Sequence, residues 1–233
     1  MSSDLVFYLL IDYPTPKVFF ETVDELVRRG VDTIEFGIPS PNPFLDGPTI
    51  AQSHAFVLSQ GFCKARYIQV MDELKVRYPY LRRIVMAYGD AIEEYALLEE
   101  PSRYEGLILP DLVIEDHPKT IQLFHEKLND DEIEHRLKHC DVFAYVMSSL
   151  GQTGSVDRGR EYPSTIARIR RSSEIEINVG FGLRSKTDID EVHSHQVGAI
   201  IGSELTKKII DRETLLAYLD EVIHPDKASR IVE

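Results

Sequence analysis

The chain has 233 residues, with 26 lysines and arginines against 39 aspartates and glutamates, for a formal charge of −13. That balance excludes broad, sequence-independent nucleic-acid binding, which needs a cationic surface. It leaves room for an anionic small ligand held by backbone N–H groups. Hydrophobic residues at 43% and charged residues at 28% are the proportions of a soluble globular chain, long enough to bury a full core. Cys63 and Cys140 form no CxxC pair, which argues against a disulfide framework or a zinc site and for a reduced, cytoplasmic compartment.

The first apolar run, residues 5–11, is flanked by Asp4 and Asp12 and has no basic segment before it. It reads as a first strand rather than a signal peptide. No apolar run approaches the ~18 residues of a membrane span. Further apolar runs at 33–37, 83–88, 106–112, 142–147, 175–180 and 198–202 predict strands. The amphipathic stretches 16–29, 63–78, 91–100, 130–139, 162–171, 186–195 and 212–222 predict helices. Asp90 is placed to cap the third helix, Pro101 to stop it, and Gly30 to end the first. Continuous apolar strands separated by helices imply parallel strands covered on both faces. Repeated βα units fit a doubly wound sheet or a (β/α)8 barrel. No linker divides the chain, so residues 1–233 read as a single domain.

A barrel needs an eighth strand, and residues 120–124 are the only candidate. The stretch 113–119 before them is too short for an ordinary crossover helix. Either a helix is cut back to almost nothing, or 119–128 is the helix and a strand is missing.

The residues that carry chemistry sit at strand ends. Glu35 lies between Ile34 and Phe36 in the second run. Pointed into a barrel, its carboxyl is desolvated and suits acid–base work. Asp46 follows in a Pro/Gly-rich loop, at the end of the strand where such barrels place their sites. Two carboxylates in different surroundings can divide acid and base roles. Equally, Glu35 can be a salt-bridged barrel carboxylate and Asp46 a turn residue. Gly180-Phe181-Gly182 and Gly202-Ser203 close the last two strands, where glycine backbones and helix starts can hold phosphate or simply make βα turns. Residues 145–154 lead from a strand into a glycine-containing loop that can act as a lid or lie as a solvated surface loop.

The motifs IEFGIP at 34–39, LDGPTI at 45–50 with QSH after it, ILPDL at 108–112, FAYVMSSLGQTG at 143–154, VGFGLRS at 179–185 and AIIGSELTKKII at 199–210 stand in one order over most of the chain. On them the sequence resembles the α subunit family of tryptophan synthase, in its short, archaeal-like branch. The resemblance implies a (β/α)8 TIM barrel, slightly truncated at the N-terminus and around the fourth and fifth βα units. It implies retro-aldol cleavage of indole-3-glycerol phosphate to indole and glyceraldehyde 3-phosphate. Glu35 and Asp46 match the catalytic glutamate and aspartate. Gly154, Gly182, Gly202 and Ser203 match the phosphate site, flanked by Phe181 and Arg184. Tyr8, Tyr145, Phe181 and Ile200 match the indole pocket, and Thr153 a lid threonine. The family usually has phenylalanine at the position of Tyr8. Its interface loop reads Ser40-Pro41-Asn42-Pro43 here, with Asn42 in place of the usual aspartate, and a lid arginine is replaced by Ser149. The implied partner is a β subunit in an αββα complex. That partner carries pyridoxal phosphate, and this chain carries no cofactor or metal of its own. The eight histidines read as ordinary residues. The competing readings are a catalytically idle α-like activator of the β subunit and a different phosphate-binding barrel enzyme.

Overall fold

A computed structural model describes residues 5–148 and 162–223 of the chain. In chain order the elements are β1 (Leu5–Leu10), α1 (Pro16–Arg28), β2 (Thr33–Gly37), α2 (Pro48–Ser59), α3 (Lys64–Arg77), β3 (Arg82–Met86), α4 (Ala91–Tyr95), a 3-10 turn (Pro101–Arg103), β4 (Gly106–Ile108), β5 (Thr120–Phe124), α5 (Asp130–Lys138), β6 (Ala144–Met147), α6 (Tyr162–Ser172), β7 (Ile177–Gly180), α7 (Lys186–Ser194), β8 (Gly198–Ile201), α8 (Ser203–Lys208) and α9 (Arg212–Val222). The strands pair in parallel in sequence order, and β8 pairs back onto β1, closing a (β/α)8 barrel.

Side chains alternate across each strand, and this alternation builds two cores. On β1, Phe7 and Leu9 face outward to the helices, while Val6, Tyr8 and Leu10 fill the barrel interior. On β2, Ile34 and Phe36 pack in the outer layer, so Glu35 between them points inward. The interior around it is apolar, with Ile84, Met86, Ile108, Ile121 and Ile200.

The helices begin where side chains satisfy their free N–H groups. Thr15 accepts from the Val18 amide, and Pro16 occupies the first turn of α1. Asn129 with Glu132, and Ser185 with Asp188, form capping boxes on α5 and α7. Gly30, at φ 84, follows the end of α1 as expected.

The ambiguity in the middle of the chain resolves in favour of the strand. Residues 120–124 form β5, and no helix occupies the connection 109–119. Gln122 Nε2 ties this connection and the end of α5 to β5, donating to the Ile114 carbonyl at 3.1 Å and to the His139 carbonyl at 3.0 Å. Three local expectations are corrected. The helix expected over 91–100 stops at Tyr95, because Ala96 turns left-handed at φ 54; Pro101 opens the 3-10 turn instead of stopping a helix. The Asp90 side chain makes no cap bond and accepts from Ser40 Oγ at 2.8 Å. The fourth strand is only three residues long. Helices α2 and α8 were not expected. Among the described residues, no helix is long and apolar enough to cross a membrane.

Phe36 has no exposed surface and packs edge-on to Phe19, with ring centroids 5.9 Å apart. Phe36→Ala is expected to destabilise the fold by roughly 3–5 kcal/mol in urea denaturation; a loss below about 1 kcal/mol would contradict the outer-layer packing described here.

Candidate active site

Glu35 stands in β2 level with Tyr8 on one side and Ile84 on the other. It is 1% exposed, and among the described residues neither carboxyl oxygen has a hydrogen-bond partner. Burial is the main reason its pKa rises from the ordinary 4.5 to about 8, and the neighbouring negative charge of Asp46 adds to the shift. At neutral pH the group is a protonated acid facing a cavity.

Asp46 reaches the same cavity from the loop after β2. A turn closed by its amide on the Pro43 carbonyl at 3.0 Å sets its position, and Tyr88, two residues beyond β3, donates its hydroxyl to Asp46 Oδ2 at 2.8 Å. That bond favours the charged carboxylate. Two carboxyl groups thus sit in one cavity with opposite protonation preferences. One is held neutral by an apolar wall, the other is hydrogen-bonded as an anion.

Tyr8 is fixed from behind. Its hydroxyl lies 3.1 Å from His54 Nε2, and His54 Nδ1 accepts the Ser40 backbone N–H at 3.0 Å. Burial lowers the His54 pKa to about 4, so the ring is neutral. With Nδ1 accepting, Nε2 carries the hydrogen and donates it to the Tyr8 oxygen. This bond requires Tyr8 to lean across β2 at Gly37, where an added Cβ would lie 2.2 Å from the Tyr8 hydroxyl. Tyr145 leans over Gly180 in the same way, with 2.1 Å to an added Cβ.

The cavity is narrow, with about 30 Å³ in which the centre of a water-sized sphere can sit. Much of its wall is apolar or aromatic: Ile50, Met86, Tyr145, Phe181 and Ile200. Gly182, Gly202 and Ser203 lie at its β7–β8 side. Gly182 is left-handed at φ 85, following Phe181 at φ 68. Gly202 precedes α8, which opens with Ser203. The structure therefore gathers Glu35, Asp46, Tyr8, Tyr145, Phe181, Ile200, Gly182, Gly202 and Ser203 around one space. Arg184 is not on the cavity wall, and its amide donates to Asp188 at 3.0 Å. Thr153, Gly154 and Ser149 lie outside the described residues.

A family model described as "Tryptophan synthase alpha chain" matches residues 2–224. The chain belongs to the tryptophan synthase alpha chain family. The curated alpha chain of Mycobacterium leprae (strain Br4923) is 30% identical over 239 residues, spanning 93% of this chain and 86% of its own. That of Methanocaldococcus jannaschii is 27% identical over 214 residues, spanning 84% and 74%. Among solved structures, tryptophan synthase from Mycobacterium tuberculosis superposes with a TM-score of 0.84 at 24% identity, over 96% of this chain and 92% of that one. A mutant tryptophan synthase α-subunit from Pyrococcus furiosus gives 0.79 at 21% identity, over 95% and 98%. At these identities the structural likeness speaks for the fold.

Within this alpha chain family fold, sequence reading missed Tyr88 and His54. Both act through partners distant in sequence, 42 and 46 residues away, and neither belongs to a recognisable spacing. The QSH triplet after LDGPTI was visible, but nothing local revealed that its histidine is buried.

Two outcomes are expected. Gly37→Ala should displace Tyr8 and cost about 1–3 kcal/mol by overpacking, read by chemical denaturation; wild-type stability would show that the close approach does not matter. The second concerns pH. The folded pKa of Glu35, about 8, lies above its ordinary 4.5. Its contribution is therefore fully present below the unfolded value and is lost as pH rises through about 8. Glu35→Gln, which cannot ionise, should gain on the wild type by roughly a few kcal/mol between about pH 5 and pH 9. Parallel stability curves would show that Glu35 is not held neutral.

Proposed function

We propose that the chain performs the reaction of its family, cleaving indole-3-glycerol phosphate to indole and glyceraldehyde 3-phosphate at the Glu35–Asp46 cavity. The observation that carries this reading is the pairing of a buried Glu35, whose carboxyl has no hydrogen-bond partner among the described residues, with an Asp46 that accepts from Tyr88, over one largely apolar cavity.

The chemistry needs a proton delivered to indole C3, because an aromatic indole is a poor leaving group for carbon–carbon cleavage. Glu35 enters as the acid and gives C3 its proton. Positive charge then spreads to the ring nitrogen, whose N–H donates to Asp46. The anion opposes that charge as it develops. Glu35, now a carboxylate, takes the proton of the glycerol hydroxyl beside C3. As that proton leaves, the C–C bond breaks. Its electron pair restores the neutral indole, and the hydroxyl carbon becomes the aldehyde of glyceraldehyde 3-phosphate. Glu35 ends protonated, ready for another turnover, and every proton is accounted for without a metal or an organic cofactor.

Gly182, Gly202 and Ser203 take the phosphate, with Gly154, outside the described residues, completing the set that the family resemblance implies. Backbone amides suit this role in a chain of charge −13, because they attract an oxyanion without a basic patch. Tyr8, Tyr145, Phe181 and Ile200 receive the indole, and Thr153 belongs to the lid. The partner is a β subunit that carries pyridoxal phosphate, in an αββα assembly of the cytoplasm. The interface loop presents Asn42 where the family has an aspartate, and Ser40 in that loop is tied to both Asp90 and His54.

The test is incubation of the purified chain with indole-3-glycerol phosphate, with and without a cognate β subunit, following indole. Glu35→Gln should lower turnover at least about 100-fold while a glycerol-phosphate analogue still binds. Asp46→Asn should lower turnover by roughly 10- to 1000-fold with phosphate affinity little changed. Undiminished indole release by Glu35→Gln would overturn the mechanism. Activation of the β reaction by a wild-type chain that never cleaves substrate would favour the idle-activator reading.

A further inference from the structure

Away from the cavity, the connection that lacks its helix is held to α5 by three side chains. Glu115 lies in that connection, and His135 and His139 stand one turn apart at the C-terminal end of α5. His135 Nε2 is 3.1 Å from Glu115 Oε1, and His139 Nδ1 is 2.8 Å from the Glu115 carbonyl oxygen. The two imidazole rings are 5.1 Å apart. One potential ligand atom from each of the three residues falls within 4.8 Å of the others.

We infer that Glu115, His135 and His139 form a site for a first-row divalent transition-metal ion, one that fastens the helix-less β4–β5 connection to α5. The donor set decides the class of ion. Two imidazole nitrogens and one carboxylate oxygen suit zinc, nickel, cobalt or copper, whereas magnesium and calcium prefer oxygen alone. Residues four apart on a helix present their side chains on one face. His139 Nδ1–H is committed to a backbone carbonyl, which leaves Nε2 with its lone pair, the arrangement that orients most metal-binding histidines. The 3.1 Å between His135 Nε2 and the Glu115 oxygen is near the roughly 3.3 Å edge of a tetrahedron with bonds of about 2.0–2.1 Å. A cation is also favoured at a helix C-terminus. Glu115 and His135 are more than half exposed, so an ion can enter from solvent, and water can take the remaining position.

The position gives the site a purpose. In most βα units a crossover helix buries the chain between two strands. Between β4 and β5 that helix is missing; Leu109 and Ile114 still pack on the core, and polar bonds tie Ile114 to β5 and Glu115 to the end of α5. An ion that binds only the folded arrangement stabilises it in proportion to its concentration. Pro110, in the same connection, lines the substrate cavity, so the fastening also steadies one wall of that cavity.

The experiment titrates zinc chloride into the metal-free full chain by calorimetry, with thermal unfolding measured in parallel. One ion per chain is expected, with a rise in Tm. His135→Ala and His139→Ala should each weaken binding at least tenfold. The double variant should lose both the heat of binding and the zinc-dependent Tm shift while folding normally in the absence of metal. Glu115→Gln should weaken binding less than the double variant does. Cobalt(II) in place of zinc should give the visible absorption of a low-coordinate nitrogen/oxygen site in the wild type and none in the double variant. Magnesium should give no shift. No binding at micromolar zinc, or binding and Tm shift unchanged in the double variant, would overturn the proposal.

Discussion

A carboxyl group shut inside an apolar barrel, with no hydrogen-bond donor and no cation against it, has one comfortable state, which is neutral. Among the described residues, Glu35 is in that position. Among the described residues that line its cavity, none is lysine or arginine. An ion pair there would pull the proton off and remove the acid; a polar wall would do the same more gently. The rest of the site is arranged around keeping this proton available. The strand alternation that sends Ile34 and Phe36 to the helices turns Glu35 inward. The close passages at Gly37 and Gly180 let two tyrosines roof the space without offering a charge.

The second carboxylate has to differ, and the fold makes it differ by placement. Asp46 is not on a strand but on the loop beyond one, where a turn and the Tyr88 hydroxyl are available to it. Its charge raises the pKa of Glu35 further. The anion that would steady a positively charged ring therefore also helps to hold the proton that creates that charge. Behind both, the neutral His54 links the Tyr8 wall to the backbone of the Ser40 loop. Geometry at the cavity thereby depends on a segment that the family resemblance assigns to the partner interface.

Much of this was legible in the sequence, for physical reasons. Strands buried on both faces read as largely apolar runs, so β2 and the start of β8 are plain, whereas β5, with Thr120 and Gln122 in it, stayed open between strand and helix. The glycine that ends α1 was legible too, because Gly30 takes the left-handed turn there. What escaped is what tertiary structure decides. Helix α2 was missed because its inner face includes Ser53 and His54 among its buried residues, which spoils an apolar stripe. Helix α8 is six residues long, too short for periodicity. The overlong expectation at 91–100 followed Leu97 and Leu98, which stay apolar although Ala96 has already turned the chain. The cavity residues on strand ends came from motifs with fixed spacing. Tyr88, His54 and the Glu115–His135–His139 grouping came from contacts between segments, which no local pattern encodes.

The central claim is that Glu35 is a protonated acid at neutral pH. The most direct measurement is a ¹³C NMR titration of the glutamate side-chain carboxyls of the free chain, with Glu35 assigned by its loss in Glu35→Gln. The account predicts a midpoint near 8, falling when Asp46→Asn removes the neighbouring charge. A midpoint in the ordinary carboxylate range, unmoved by Asp46→Asn, would contradict it.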